Sequence, residues 1–171
     1  MRFLALSLIL IFNSCSHYSV RVDDSLPFKS LYLNTVVNES FAPNIQALFQ
    51  NQLRQTLLEQ TSITLSKRAD LADVQVDVRI VNYDRSPSTH SSSDAGRYNA
   101  LNLSIGVELS LYDRKTGVYL IEKTILSSSE PIFFDHTNGS PNFNEIEYGA
   151  LPRISRTLAE AVIQQILSYW N

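Results

Sequence analysis

The chain has 171 residues, with 14 Lys and Arg against 17 Asp and Glu, a formal net charge of −3 and 44% hydrophobic residues. That length and apolar content support one domain with a real core, and no long stretch has the composition of a disordered segment. A mildly acidic chain lacks the basic patch that neutralises phosphates along a nucleic acid, so no nucleic-acid partner is expected.

Arg2 and the amino terminus precede an apolar run from Phe3 to Phe12 that only Ser7 interrupts, and Ser14 then stands before Cys15, the single cysteine. This is the layout of a secretory signal peptide over residues 1–14. The run is too short to span a bilayer, which takes roughly 20 apolar residues. A cysteine in this place resembles the bacterial lipobox, where the chain is cut before the cysteine and the sulfur is acylated. Phe12 and Asn13 occupy positions at which that pattern favours a leucine and a small residue. Acylation of Cys15 would also remove an unpaired thiol from an oxidising compartment. Ser16 follows, where an aspartate would, by resemblance to the lipoprotein sorting rule, hold the protein at the inner membrane. The expected organisation is a signal peptide (1–14), a lipidated N-terminus and leader (15–28) and a single domain (29–171). Outer-membrane anchoring through lipid, facing the periplasm, is the expected location.

The segment KSLYLNTVV (29–37) alternates, with Leu31, Leu33 and Thr35 on one side and Tyr32, Asn34 and Val36 on the other, and predicts a strand. Pro43 then opens a helical stripe of Ile45, Leu48, Phe49, Leu53 and Leu57. SITLS (62–66) predicts a short strand, and KRADLAD turns the chain. In VQVDVRIVNY (74–83), Val74, Val76, Val78 and Ile80 oppose Gln75, Asp77 and Arg79. LNLSIGVELSLY (101–112) alternates in the same way, setting Leu101, Leu103, Ile105, Val107, Leu109 and Leu111 against Asn102, Ser104, Gly106, Glu108 and Ser110. Asp113 to Gly117 reads as a hairpin loop in which Gly117 takes a positive φ, and VYLIEKTILSS (118–128) returns as the partner strand.

The Ser-rich connection 84–100 and the stretch 129–151 lack periodicity and read as irregular. Phe133, Phe134 and Phe143, in and beside the second, read either as anchors for a partner or as packing of a loop onto its own domain. The chain closes with a predicted helix that has Pro152 in its first turn and a stripe of Ile154, Leu158, Ala161, Val162, Gln165, Ile166 and Tyr169. Strands with one apolar face need cover on that face only, and two amphipathic helices supply it. The expected fold is therefore α+β: a two-layer sandwich with a mixed, mostly antiparallel sheet of four to five strands under two helices.

Catalytic signatures are absent: there is no Gly-x-Ser-x-Gly elbow, no phosphate-cradling glycine loop and no His-Glu-x-x-His. His17, His90 and His136 fall in three separate irregular segments, so no metal site and no cofactor are expected. Asp70, Asp73 and Asp77 read as a solvated edge rather than a carboxylate pair. The cations Arg85, Arg97, Arg114 and Lys115, all placed in connections, are the candidate phosphate contacts.

With the segments in this order, residues 15–170 resemble the lipopolysaccharide-assembly lipoprotein family LptE. The resemblance lies in an N-terminal lipidation cysteine, the run LYLNTVVNESFAPNIQALFQNQLRQTLLEQ with its N-x-S/T-F-x-P turn, and the central meander from ADVQVDVRIV to YLIEK. It implies a non-enzymatic protein that plugs the large outer-membrane β-barrel LptD, assists its assembly and helps deliver lipopolysaccharide to the cell surface. Lipopolysaccharide is then the ligand whose phosphates the loop cations would meet. The small polar residues from Asn102 to Ser110 suit the wet interior of a wide barrel, or equally an ordinary solvent-facing sheet. Two alternatives stand beside this reading: an auxiliary lipoprotein of an ABC-type phospholipid transporter, and a periplasmic hydrolase without a recognised motif.

Overall fold

The computed structural model describes residues 27–90, 98–133 and 143–169. Its elements are β1 (Ser30–Leu33), β2 (Val37–Asn38), α1 (Ile45–Gln60), β3 (Thr64–Leu65), a 3-10 turn (Ala69–Leu71), β4 (Val74–His90), β5 (Tyr98–Asp113), β6 (Val118–Phe133) and α2 (Phe143–Ser168). The sheet order is β3-β1-β4-β5-β6, and β2 pairs with β4 off this path. β1 runs parallel to β3 and β4, while β4, β5 and β6 form an antiparallel meander. This is the expected two-layer α+β arrangement, with six strands of which β2 and β3 have only two residues each.

The core is the apolar parity of the strands closed by the helix stripes. Val74, Val76, Val78 and Ile80 of β4, and Leu103 to Leu111 of β5 at every second residue, are buried as their alternation predicts. Ile45, Phe49, Leu53 and Leu57 of α1 are buried with them, and Leu48 is partly so. On α2 the larger buried apolar residues include Leu151, Ile154, Leu158, Val162, Ile163, Ile166 and Leu167, so the stripe widens at adjacent positions. Ala161 and Gln165 lie at its margin, and Tyr169 is exposed.

Four sequence expectations change in detail. The strand predicted over 29–37 breaks after Leu33, and beyond the break Val36 is buried while Thr35 is exposed. The break is tolerated because the Val36 N–H finds a side-chain acceptor, donating to Gln50 Oε1 at 2.6 Å. The Ser-rich connection is partly strand: β4 runs on to His90 and β5 begins at Tyr98, so Arg85 lies on a strand and not in a loop. Polar composition hides this, because β4 from residue 81 onward pairs only with β5 and leaves its other side open. Pro87, which has no N–H to donate, is compatible with such an edge. The second irregular stretch loses its first residues to β6, which ends at Phe133, and its last to α2. Consequently Pro152 sits inside α2 instead of in its first turn. It is solvent-exposed, and the neighbouring Arg153 Nη1 donates to the Gly149 carbonyl at 3.2 Å.

Two irregularities shape the meander. A register shift between Ile80 and Asn82 inserts one residue into β4, so that Ile80 faces Val107 but Tyr83 faces Ile105. From there odd-numbered residues of β4 turn toward the helices. On β6, Lys123 adopts φ 48°, and pairing with β5 shifts register nearby. β6 is the outer strand of the path, and this bulge together with Pro131 blunts its free edge.

Candidate functional site

The face of the meander turned away from the helices is hydrophilic on β4, on β5 from Asn102 to Ser110 and at Ser127 and Ser129 of β6, while Ile125 and Tyr119 of β6 are exposed on it. Asn102 pairs with Ser86 and Pro131, Ser104 with Asp84 and Ser129, Gly106 with Asn82 and Ser127, Glu108 with Arg79 and Ile125, and Ser110 with Asp77. Short side chains dominate, and the 16 residues of β5 extend the face over about 50 Å. Arg79 crosses it, donating to Glu108 and, at 3.2 Å, to Glu39. A shallow depression of about 340 Å³ lies on this face, lined among others by Asp77, Arg79, Glu108, Ser110 and Lys123. Because the adjacent positions of each strand bury the core, this face follows directly from the alternation.

The sequence-derived cations do not form one cluster. Arg85 stands opposite the buried Leu103, on the helix side of the sheet, because the bulge has changed the parity of β4. Its Nη2 donates to Glu147 Oε1 of α2 at 2.8 Å, and the guanidinium lies 5.1 Å from the centre of the Tyr83 ring. The Glu147 side chain is only 4% exposed, and burial pushes its carboxyl above the usual carboxylate range. Arg114 and Lys115 occupy the β5–β6 turn, where Asp113 Oδ1 accepts the Lys115 N–H at 2.8 Å and Gly117 takes φ 74° as expected. From Leu103 to Asp113 along β5 is about 35 Å, so Arg85 and the turn cations cannot share one phosphate. Arg97 and Cys15 lie outside the described residues, as do His17, His136, Phe134 and Trp170. Phe133 is described, and it is exposed.

Asp73 is not a solvated edge residue. Its Oδ2 accepts the backbone N–H groups of Lys29 and Ser30, each at 3.0 Å, and the Ser30 hydroxyl at 2.8 Å, while Oδ1 meets Lys115 Nζ at 2.6 Å. These contacts hold its carboxyl well below the ordinary range, the Lys115 ammonium most strongly. Asp70 instead pairs with Arg68 at the surface, and Asp77 accepts from Asn34 and Gln75. The three carboxylates thus have three separate partners, and among the described residues no group of three or more His, Cys, Asp or Glu could hold a metal ion.

A second concavity, of about 620 Å³, lies between the β1–β2 connection and α1 and is lined by Thr35, Asn38, Asn44, Gln46, Ala47, Gln50 and Asn51. Sequence reasoning missed it, since these residues are merely the solvent side of a helix and a turn until packing brings them together. Among the described residues no helix is long and apolar enough to cross a membrane.

The family model described as LptE: Lipopolysaccharide-assembly matches residues 28–166. No curated protein sequence matches the chain. Among solved structures, the hypothetical protein CT253 from Chlamydia trachomatis is similar with a TM-score of 0.60 at 14% identity, over 83% of this chain and 97% of that one. A minor lipoprotein from Acinetobacter baumannii gives 0.53 at 17% identity, covering 82% and 94%. The uncharacterized lipoprotein B from Nitrosomonas europaea gives 0.54 at 15% identity, covering 88% and 90%. At such identities the structural likeness establishes the fold alone. The family match spans β1 through nearly all of α2, the same elements that build the hydrophilic face and its apolar backing, and the chain therefore belongs to the LptE family of lipopolysaccharide-assembly lipoproteins.

Proposed function

We propose that this protein is anchored to the outer membrane by acyl chains on Cys15 and seats its domain in an LptD-like β-barrel, assisting the barrel's assembly and the insertion of lipopolysaccharide. It acts by binding, without making or breaking a covalent bond. The observation that supports this reading best is the hydrophilic face of β4, β5 and β6, an area of mostly short polar side chains backed by an apolar core. The lumen of a wide barrel is polar and wet, and such a face enters it without losing hydration that has no replacement. Residues large enough to fill the lumen or greasy enough to demand burial are mostly missing from the centre of the face, where Ser104, Gly106, Asn82 and Ser127 meet.

The cations contribute at two separate places in this reading. Arg114 and Lys115 offer a phosphate a guanidinium and an ammonium at the β5–β6 turn, although Lys115 must share itself with Asp73. Arg85 and Arg97 are contacts of the same kind elsewhere on the chain.

Photo-crosslinkers placed one at a time at Ser104 and Ser127 of the open face, and at Arg156 and Glu160 of α2, test the docking in intact cells. Capture of a very large β-barrel from the open-face positions is the expected result. Capture from α2 alone, or none at all, overturns it. Crosslinkers at positions 85, 97 and 114 are expected to trap lipopolysaccharide, and trapping of phospholipid instead would move the reading toward phospholipid transport.

A further inference from the structure

The amide-lined cleft between the β1–β2 connection and α1 adjoins the depression on the docking face at Thr35, which lines both, while its carboxamides belong to the cleft alone. Five of its lining residues are carboxamides, one is the hydroxyl of Thr35 and one is the methyl of Ala47; no charged side chain lines it. Two amides are partly engaged by the fold. Gln50 gives its oxygen to the Val36 N–H and keeps its Nε2 protons, while Asn38 uses Nδ2 on the Ala42 carbonyl and Oδ1 on Ser40. Gln46 and Asn51 are exposed, and no hydrogen bond ties down either side chain among the described residues. Asn44 sits at the helix N-cap with φ 53°, yet its side chain does not cap the helix.

Each free carboxamide offers donors and an acceptor on one rigid plane. An ionic ligand would find no countercharge in the cleft, and an apolar one would strip water from the amides without replacing it. A molecule dense in hydroxyl groups, each both donor and acceptor, matches the lining. Phe41 supplies the other half of such recognition. It is 96% exposed and stands in the turn between Asn38 and Asn44. Phe41 does not line the cleft itself; from that turn its bare ring offers a flat apolar surface suited to the C–H face of a pyranose ring that extends beyond the amides. The volume of about 620 Å³ falls within the usual range for small-ligand sites, about 300–1,000 Å³.

We propose that this cleft binds a neutral, hydroxyl-rich oligosaccharide, with Gln46, Gln50 and Asn51 as hydrogen-bonding residues and Phe41 as the stacking platform. Two sources carry that chemistry, the sugar portion of lipopolysaccharide and the glycan strands of the cell wall. The site meets the docking face only at Thr35, and Gln46, Gln50 and Asn51 lie off that face, so a failure of barrel capture leaves the proposal standing, and the reverse also holds.

The test titrates the purified full-length chain in detergent with two neutral probes, a lipopolysaccharide outer-core oligosaccharide built of hexoses alone and chitotetraose, by calorimetry and saturation-transfer NMR. Saturable binding of one or both is expected, and the probe that binds names the source. Phe41→Ala and the double variant Gln46→Ala/Asn51→Ala should each raise Kd about tenfold. Ala47→Trp, which fills the cleft without removing a hydrogen bond, should abolish binding. All of these positions are exposed, and thermal melting is expected to stay at the parent value. Absence of saturable binding by either probe, binding that survives in the filled variant, or tighter occupancy by tri-alanine than by sugar would overturn the proposal.

Discussion

Asp73 and Glu147 are two partly or wholly buried carboxylates whose environments act in opposite directions. Asp73 is held ionised by Lys115 and three hydrogen bonds from Lys29 and Ser30, and it joins the start of β1, the start of β4 and the β5–β6 turn. Asp73→Ala leaves two backbone N–H groups without their acceptor and should cost about 1–3 kcal/mol in urea unfolding at pH 7. The Asp73 carboxyl is lowered on folding, so its contribution is complete above the unfolded value of about 3.9 and is lost as the pH falls below it. The difference between parent and variant is therefore expected to shrink between pH 4 and pH 2, measured by repeating the urea titration; a constant difference would contradict the clamp. Glu147 behaves in the other sense. Burial raises its carboxyl although Arg85 lies beside it, and so stability declines as the pH climbs through that raised value. Arg85→Ala removes the cation from an almost enclosed carboxylate and should cost on the order of 2 kcal/mol at pH 8, with the loss diminishing as the pH falls and Glu147 takes up a proton. Adding Glu147→Leu to Arg85→Ala should restore most of the loss in the same urea titration. Neither pairing was legible in the sequence. Asp73 meets Ser30 over 43 positions of chain, and Arg85 meets Glu147 over 62, distances that no local pattern encodes.

At the scale of elements, the meander depends on one close approach. A Cβ at Gly106 would stand 3.1 Å from the Cβ of Asn82, an atom fixed to the backbone of the neighbouring strand. Gly106→Ala gains strand propensity but must push β4 and β5 apart at the bulge, and a net loss of about 1 kcal/mol is expected. Asn82→Gly in the same chain removes the obstructing atom, so the double variant should be less destabilised than the sum of the two singles, as a double-mutant cycle would measure. Strand periodicity made the middle of each long strand readable and hid its ends. From Val74 to Ile80, and through β5 from Leu103, alternation predicts burial position by position. Beyond Ile80 the inserted residue exchanges the two faces, and Asp84, Arg85 and Ser86 then have the composition of a loop while pairing with Ser104, Leu103 and Asn102. Helix α2 was readable from Ile154 onward, and its earlier turns were hidden because Pro152 is an ordinary helix-starting residue. Its exposure on the outer side, with Arg153 reaching back to Gly149 and across to Glu130 of β6, accommodates a proline at that point.

In the proposed reading the whole molecule divides its labour between a tether, a covered apolar layer and an uncovered polar one. No helix among the described residues can cross a membrane, so in the proposed reading membrane retention rests on Cys15 and on the barrel. Each buried methylene of an acyl chain adds about 0.8 kcal/mol, enough for several chains to make a lasting anchor. Cys15→Ala is expected to abolish metabolic labelling with palmitate and to shift the protein toward the periplasmic fraction. If it stays membrane-bound in cells that contain the barrel and is released in cells that lack it, the polar face alone supplies the second hold. The family relationship was legible from the order of segments, whereas the amide-lined cleft was not, because helix α1 shows its solvent side as an unremarked run of Gln and Asn until the β1–β2 turn is laid against it.

With Cys15 tethered as proposed, β1 would take a mechanical role that its four residues do not advertise. It lies between β3 and β4, parallel to both, and it is the first strand after Pro27 and Phe28. Traction on the leading end of the chain therefore runs along β1, and its flanking hydrogen bonds are sheared together instead of being peeled apart one after another. Asp73 adds a further fastening at the point where such a load first arrives, gripping Lys29 and Ser30. A domain leashed at one end and wedged at the other would feel that strain whenever the membrane around it moved, and β1 is placed to bear it.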